Sequence, residues 1–343
     1  MKQQKRRTLA SAIAIAAALA IGPSVALAQQ KVMKYAHFQP AKDDQPQHKA
    51  AMIFKEHVEK QTNGSLKVEI YPAGQFGKDA EVMEALKFGT LELAVPHDGA
   101  IATIFKPIAL LGIPYLFDSH AHAWRVYDSK FGEEFGNLML QKTGVRMLAI
   151  ADNGVRHFTN SLRPVKTPAD LKGMKIRIQP SPVFKSLVES FGASASAIPW
   201  AELPTALQSK VVDGQENGVT NILAASLYQY QKYATLDGHV WSIHAYMVNE
   251  RFFKGLNAQQ QKAVVEATAL ARDVHRKMTS EQDLSAKTVL TKLGMQVTEL
   301  SPAEIDGFRK IAQPAVRTYV EKEVGKEWVD KLMQAVDANR KAN

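Results

Sequence analysis

Arg177 is the side chain in this sequence best placed to bind a small anion. It ends a strand-like run, Met174–Ile178, and ligands of open α/β sheets collect beyond the carboxyl ends of strands. Its guanidinium stays charged and offers two parallel N–H groups in one plane, the geometry that a carboxylate accepts. Taken alone, a strand-end arginine is more often just an exposed charge. Other chemistries lack their residues. The chain has no cysteine, which removes disulfides, thiolate metal sites, cysteine nucleophiles and lipid attachment through an N-terminal cysteine. It has no Gly-x-Ser-x-Gly elbow, glycine-rich phosphate loop or His-Glu-x-x-His motif, so neither enzymatic turnover nor a cofactor is expected. His120 and His122 stand two apart and share no helix face, and no acidic cluster reinforces them. They read as helix-start residues, and no metal site is expected.

The elements that must position Arg177 alternate between strand-like and helix-like, the pattern of parallel α/β construction. Val32–Phe38 reads as a strand, Pro46–Gln61 as an amphipathic helix, and Asn63-Gly64 turns the chain into a strand at Leu66–Tyr71. Asp79–Phe88 reads as a helix, Leu91–Val95 as a strand, Ser119–Lys142 as a longer helix and Val145–Ile150 as a strand. That strand leads into Asp152-Asn153-Gly154, a crossing point between two lobes. Thr167-Pro168-Ala169-Asp170 then carries helix-start signals, followed by Met174–Ile178, a helix over Val183–Ser190, a strand Ala193–Ile198 and a helix Ala201–Gln208. Ala258–Lys292 has few breakers and predicts one very long helix, punctuated by Val264, Val265, Leu270, Val274 and Leu290. Ser301-Pro302-Ala303-Glu304 is a capping box. The 343 residues allow about two domains, and the absence of a low-complexity linker predicts interwoven lobes.

The N-terminus carries an export signal. Lys2, Lys5, Arg6 and Arg7 precede an apolar run, Leu9–Ile21, then Gly22-Pro23 and the small-x-small sequence Ala26-Leu27-Ala28. That run is shorter than the roughly 20 residues that cross a bilayer. Residues 1–28 are therefore expected to be a cleavable signal peptide. The general secretory route is favoured, although Arg6-Arg7 loosely fits a twin-arginine signal. No other stretch predicts stable membrane insertion. Without residues 1–28, which hold four of the 43 basic residues and no acid, the net charge falls from +9 to +5. No dense basic stripe remains, so nucleic-acid binding is not expected.

From Asp152 onward the motifs become specific. They run Asn153-Gly154-Val155-Arg156-His157-Phe158-Thr159-Asn160, then Thr167-Pro168-Ala169-Asp170-Leu171-Lys172-Gly173-Met174-Lys175-Ile176-Arg177, Ile198-Pro199-Trp200-Ala201-Glu202, Ala206-Leu207-Gln208 and Val212-Asp213-Gly214-Gln215-Glu216-Asn217. Upstream stand Tyr71-Pro72-Ala73-Gly74-Gln75-Phe76-Gly77 and Ile113-Pro114-Tyr115-Leu116-Phe117. In this order and spacing the chain resembles the solute-binding subunits of tripartite ATP-independent periplasmic (TRAP) transporters, of the DctP family. The resemblance implies a two-lobed α/β periplasmic binding protein of type II-like form, with crossing hinge strands and a long bracing helix. Lobe I would comprise residues 29–153 plus about 243–282, and lobe II residues 154–242 plus about 283–343. It also implies a small and a large TRAP membrane subunit as partners, an ion gradient as the driving force, a periplasmic monomer, and a small organic carboxylate as ligand. The default ligand is a C4-dicarboxylate, with sugar acids, aromatic acids and keto or hydroxy acids left open. A subunit serving an ATP-driven importer or a sensor is the alternative.

The resemblance assigns ligand-binding positions as well. Arg177 would form the two-pronged pair with the carboxylate, and Asn217 would add a directional amide bond beside it. Arg156 would be a second cleft arginine, the alternative being an interlobe salt bridge. Trp200 would wall the cleft, or else belong to the core. His97, His239 and His37 would be polar cleft residues, with His97 reading the variable end of the ligand.

Overall fold

The computed structural model describes residues 30–340; the expected signal peptide lies outside the described residues. Nine strands form one continuous sheet: β1 (Lys31–His37), β2 (Leu66–Tyr71), β3 (Leu93–Val95), β4 (Val145–Asn160), β5 (Lys175–Ile178), β6 (Ser194–Ala197), β7 (Gly214–Gly218), β8 (Tyr233–Asn249) and β9 (Gln296–Glu299). Their order is β2-β1-β3-β8-β4-β7-β5-β6, with β9 on β8.

The sheet is really two half-sheets sharing a ribbon. β4 and β8 run antiparallel from Val145↔Asn249 to Asn160↔Tyr233. At one end of this ribbon β3 joins β8 at Leu93↔Val248, and β1 and β2 extend the sheet in parallel. At the other end β7 joins β4 at Arg156↔Gly218, and β5 and β6 follow in parallel. Register shifts in the ribbon at Met147/Ala149, Asp152/Gly154 and Arg156/Phe158 bend it between the halves, as bulges do. Gly154 there takes φ +92, a backbone region open chiefly to glycine. The expected crossing point at Asp152-Asn153-Gly154 is the middle of a strand that continues to Asn160.

Several sequence expectations need correction. The long helix stops at Leu284 and resumes as Ala286–Lys292. Its buried face consists mostly of small residues, Ala263, Val264, Ala267, Thr268 and Ala271, while Val265 and Leu270 face outward. Small side chains let this helix lie close against β4 and the helix Pro46–Gln61, both of which it contacts. The predicted helix Ser119–Lys142 is two, His120–Tyr127 and Lys130–Thr143. Ser129 interrupts it by accepting a hydrogen bond from the Phe131 amide at 3.2 Å, the local competition that makes serine a cap. Pro168–Leu171 is only a single 3-10 turn, although its capping box forms.

Candidate ligand-binding cleft

The parallel pairing of β5 with β7 puts Arg177 opposite Gln215, and strand alternation then turns Gln215 and Asn217 to one face and Glu216 to the other. Arg177 is buried, 1% exposed. Its Nε donates to the Ile198 carbonyl at 2.9 Å, which fixes the plane of the guanidinium. Its Nη2 has no partner among the described residues. Burial draws its pKa down to about 10, and Arg156 adds to this while Glu216 opposes it; the group remains a cation at neutral pH.

Arg177, Asn217, Trp200 and His97 line one cavity between the half-sheets. It adjoins a wider cleft that shares Phe38 and Trp200 with it. Asn217 donates through Nδ2 to Gln215 Oε1 at 3.0 Å and accepts from Asn221 Nδ2 at 2.9 Å. Trp200 is half-buried and forms a wall to both spaces. His97 caps a short helix, its Nδ1 accepting from the Ala100 amide at 3.1 Å, and its Nε2 lies 3.3 Å from Asp79 Oδ1. Both ring nitrogens are thus engaged within the protein.

The structure places the other three candidates elsewhere. Arg156 is buried on the opposite face, where Nε and Nη2 make a two-pronged pair with the Glu216 carboxylate. Its guanidinium lies 5.1 Å from the Phe184 ring centroid. His239 bridges the same carboxylate, 3.3 Å from Nε2, and Asp237, 2.8 Å from Nδ1. Burial alone would lower the His239 pKa, but Asp237 and Glu216 outweigh it and raise it to about 9. Burial likewise pushes the Glu216 carboxyl up, yet Arg156 and His239 hold it below its ordinary value. Arg156, Glu216 and His239 therefore form an internal charge network behind the cavity. His37 ends β1, and its Nε2 meets His48 Nδ1 at 3.2 Å. Burial, then His48, depress its pKa to about 3, and its neighbours Phe38 and Gln39 line the cavity in its place.

The sequence reading missed six polar lining residues: Gln39, Gln47, Asn153, Gln179, Asn221 and His244. Two of their amides are oriented by partners that can only accept. Gln179 Nε2 donates to the Asp98 carboxylate at 2.7 Å, and Asn221 Nδ2 donates to the Asn153 carbonyl at 3.3 Å. This leaves Gln179 Oε1 and Asn221 Oδ1 as unused acceptors among the described residues. Gln39 Oε1 accepts from the Gln47 main-chain N–H at 2.9 Å, and its Nε2 has no partner among the described residues. A chain of hydrogen bonds runs from Asp98 through Ser242, Asn153 and Asn221 to Asn217, so it passes through both crossing strands. Asn153 alone carried a usable signal, since it opens the Arg156 motif.

Two further contacts join the halves. Lys78 and Glu202 form an exposed ion pair at 2.8 Å beside the wider cleft. His120 lies between Asp152 Oδ2 at 3.3 Å and Asp283 Oδ2 at 3.4 Å, and Asp283 also accepts from the Val155 amide at 2.9 Å. Burial alone would lower the His120 pKa, but the two carboxylates raise it to about 9. His122 meets the Val336 carbonyl at 2.9 Å through Nε2. Among the described residues no group of three or more His, Cys, Asp or Glu side chains is placed to hold a metal. Nor is any described helix long and apolar enough to cross a membrane.

Two α/β halves hinged on shared strands, with a buried arginine facing the space between them, define a periplasmic binding protein. Residues 36–323 match the bacterial extracellular solute-binding proteins, family 7 (DctP), and the chain belongs to this family. It is a TRAP solute-binding protein, which binds small organic acids and works with membrane permease subunits, and it is not an enzyme. It is 31% identical to the 2,3-diketo-L-gulonate-binding periplasmic protein YiaO of Escherichia coli, over 85% of this chain and 88% of that one. It is also 31% identical to the C4-dicarboxylate-binding periplasmic protein DctP of Rhodobacter capsulatus, over 90% and 92%. The crystal structure of the sugar acid binding protein DctPAm of Advenella mimigardefordensis, in complex with galactonate, superposes with a TM-score of 0.86 at 28% identity, covering 91% and 99%.

Proposed function

We propose that this chain captures a hydroxylated monocarboxylate, of sugar-acid type, and delivers it in the periplasm to a small and a large TRAP membrane subunit. One observation carries the choice of ligand: among the described residues Arg177 is the sole arginine or lysine lining the cavity. Arg177 takes the carboxylate, Asn217 stands beside it and Trp200 supplies an apolar wall. The remaining lining carries no other arginine or lysine and includes the unused acceptors Gln179 Oε1 and Asn221 Oδ1, which call for hydroxyl donors. A C4-dicarboxylate would bring a second anion into this lining with no second cation to meet it, and leaving a charge unpaired in a buried site is costly. The ligands named for YiaO and DctPAm favour the sugar-acid side, and the one named for DctP the other. We place the lobe boundaries inside the crossing strands, near Asn153 and Ser242, with residues 1–28 removed on export.

Calorimetric titration and thermal shift with galactonate, erythronate, succinate, malate and galactitol test this. A one-site ligand at 100 times its Kd adds about 2.7 kcal/mol of stability. The sugar acids are expected to reach this at lower concentration than the dicarboxylates, and galactitol to have no effect. A stronger response to succinate than to either sugar acid overturns the hydroxylated-ligand reading. A response to galactitol overturns the carboxylate anchor.

A further inference from the structure

His244 sits on β8, bridged to His97 across the sheet, and is only 3% exposed. It lines the cavity. Its Nδ1 is shared between the Asp152 main-chain oxygen and His275 Nε2, each at 3.3 Å. A carbonyl oxygen can only accept, so the tautomer that bonds it carries the proton on Nδ1. His275, on the long helix Ala258–Leu284, is then the second acceptor. Its own proton lies on Nδ1, directed at the Tyr246 hydroxyl at 3.2 Å. Burial, reinforced by His275, holds the His244 pKa well below its ordinary value, so the ring stays neutral. This leaves His244 Nε2 bare and without a partner among the described residues, as an acceptor on the cavity side.

We propose that His244 is a specificity-determining residue that accepts a hydrogen bond from one ligand hydroxyl through Nε2, and that His275 is the positioning residue fixing its tautomer. The inference rests on the hydroxylated-acid reading and assigns part of its selectivity to one atom. It adds a third acceptor to those of Gln179 and Asn221. It also reaches past the cavity wall: a residue of the bracing helix that touches no ligand governs which acids are retained. Nothing in this arrangement touches the Arg177 end, so carboxylate capture and hydroxyl reading are separable.

The test crosses protein variants with galactonate and its 2-deoxy, 3-deoxy and 6-deoxy forms, read by titration calorimetry. In the wild type, one deoxy acid is expected to lose about five- to tenfold in affinity through the missing bond to His244. His244→Phe should bind that acid and galactonate equally, while its penalties for the other deoxy acids stay unchanged. His275→Phe should lose the same discrimination. His275→Gln, whose amide oxygen can stand where Nε2 stood, should restore it, which a purely packing role for His275 would not do. Nitrogen-15 spectra of ring-labelled wild-type protein give a readout without ligand: His244 Nε2 is expected to resonate as an unprotonated nitrogen. A protonated Nε2, or deoxy penalties identical in wild type and His244→Phe, overturns the inference and leaves the ligand class standing. Preference for succinate over galactonate overturns the ligand class and this inference with it.

Discussion

Arg177 keeps its charge and its orientation for different reasons, and substitution separates them. Arg177→Lys retains a cation but loses the planar fork and the Nε bond to Ile198. Its affinity for an organic acid should fall about 100-fold, the worth of a two-pronged charge-assisted pair, as measured by titration calorimetry. Glu216→Gln leaves the Arg156 charge without its buried partner and should cost about 3–5 kcal/mol of stability in urea unfolding, as breaking one side of a buried pair does. The histidines set opposing pH limits. His239 and His120 hold their protons up to about 9 in the fold, so their contribution is complete below the ordinary value of about 6.5 and fades as pH rises toward 9. His37 and His275 stay neutral down to about 3. The unfolded chain protonates them below about 6.5, so stability also falls as pH falls. The melting temperature should therefore peak near neutrality and drop several degrees by pH 9 and by pH 4.5. A flat profile across that range contradicts the sign of both groups. That Arg177 and Asn217 line the cavity was legible because each closes a motif of distinctive wording. Arg156 was equally conspicuous, but its face of the sheet depends on its register against β7, which spacing within one segment does not reveal.

At the scale of elements, short and strongly patterned pieces were readable, and the shared ribbon was not. Pro46–Gln61, Leu66–Tyr71 and Asp79–Phe88 fall at the predicted bounds, because each carries its own periodicity and turn or cap. β7 reads Gly-Gln-Glu-Asn-Gly and is wholly buried; its polar sequence hides a central strand whose amides serve the cavity. β8 supplies His244 and Ser242 from across the hinge, and nothing local links them to Arg177. β4 and β7 approach closely at Gly218, where an added Cβ would lie 2.6 Å from the Asn153 carbonyl oxygen. Gly218→Ala must spread β4 from β7 at the point where the Asn153–Asn221 bonds form. A loss of about 1–3 kcal/mol is expected from this overpacking, with weaker ligand binding, measurable by denaturant unfolding and calorimetry on the same sample.

For the whole molecule, two lobes on one pair of strands cannot come apart as independent domains. β4 and β8 each contribute to both half-sheets, so calorimetry should show one cooperative transition that moves as a unit when ligand binds. Two resolved transitions would mean that the lobes fold separately. The interwoven plan was legible in the alternating elements and the missing linker. The place where the chain crosses was only half legible, since the bend lies within strands. The Lys78–Glu202 pair has a kinetic meaning. It is exposed on both sides, at 59% and 47%, so dissolved salt screens it readily and it adds little to equilibrium stability. Because it ties the two halves together outside the cavity, it is expected to act on the residence time of a captured molecule rather than on its recognition. Dissociation should quicken by at most a few-fold as ionic strength rises from 0.01 M to about 0.5 M, and Lys78→Ala should abolish that dependence. In dilute water the protein would hold its cargo longer than in brine, with the same preference among acids.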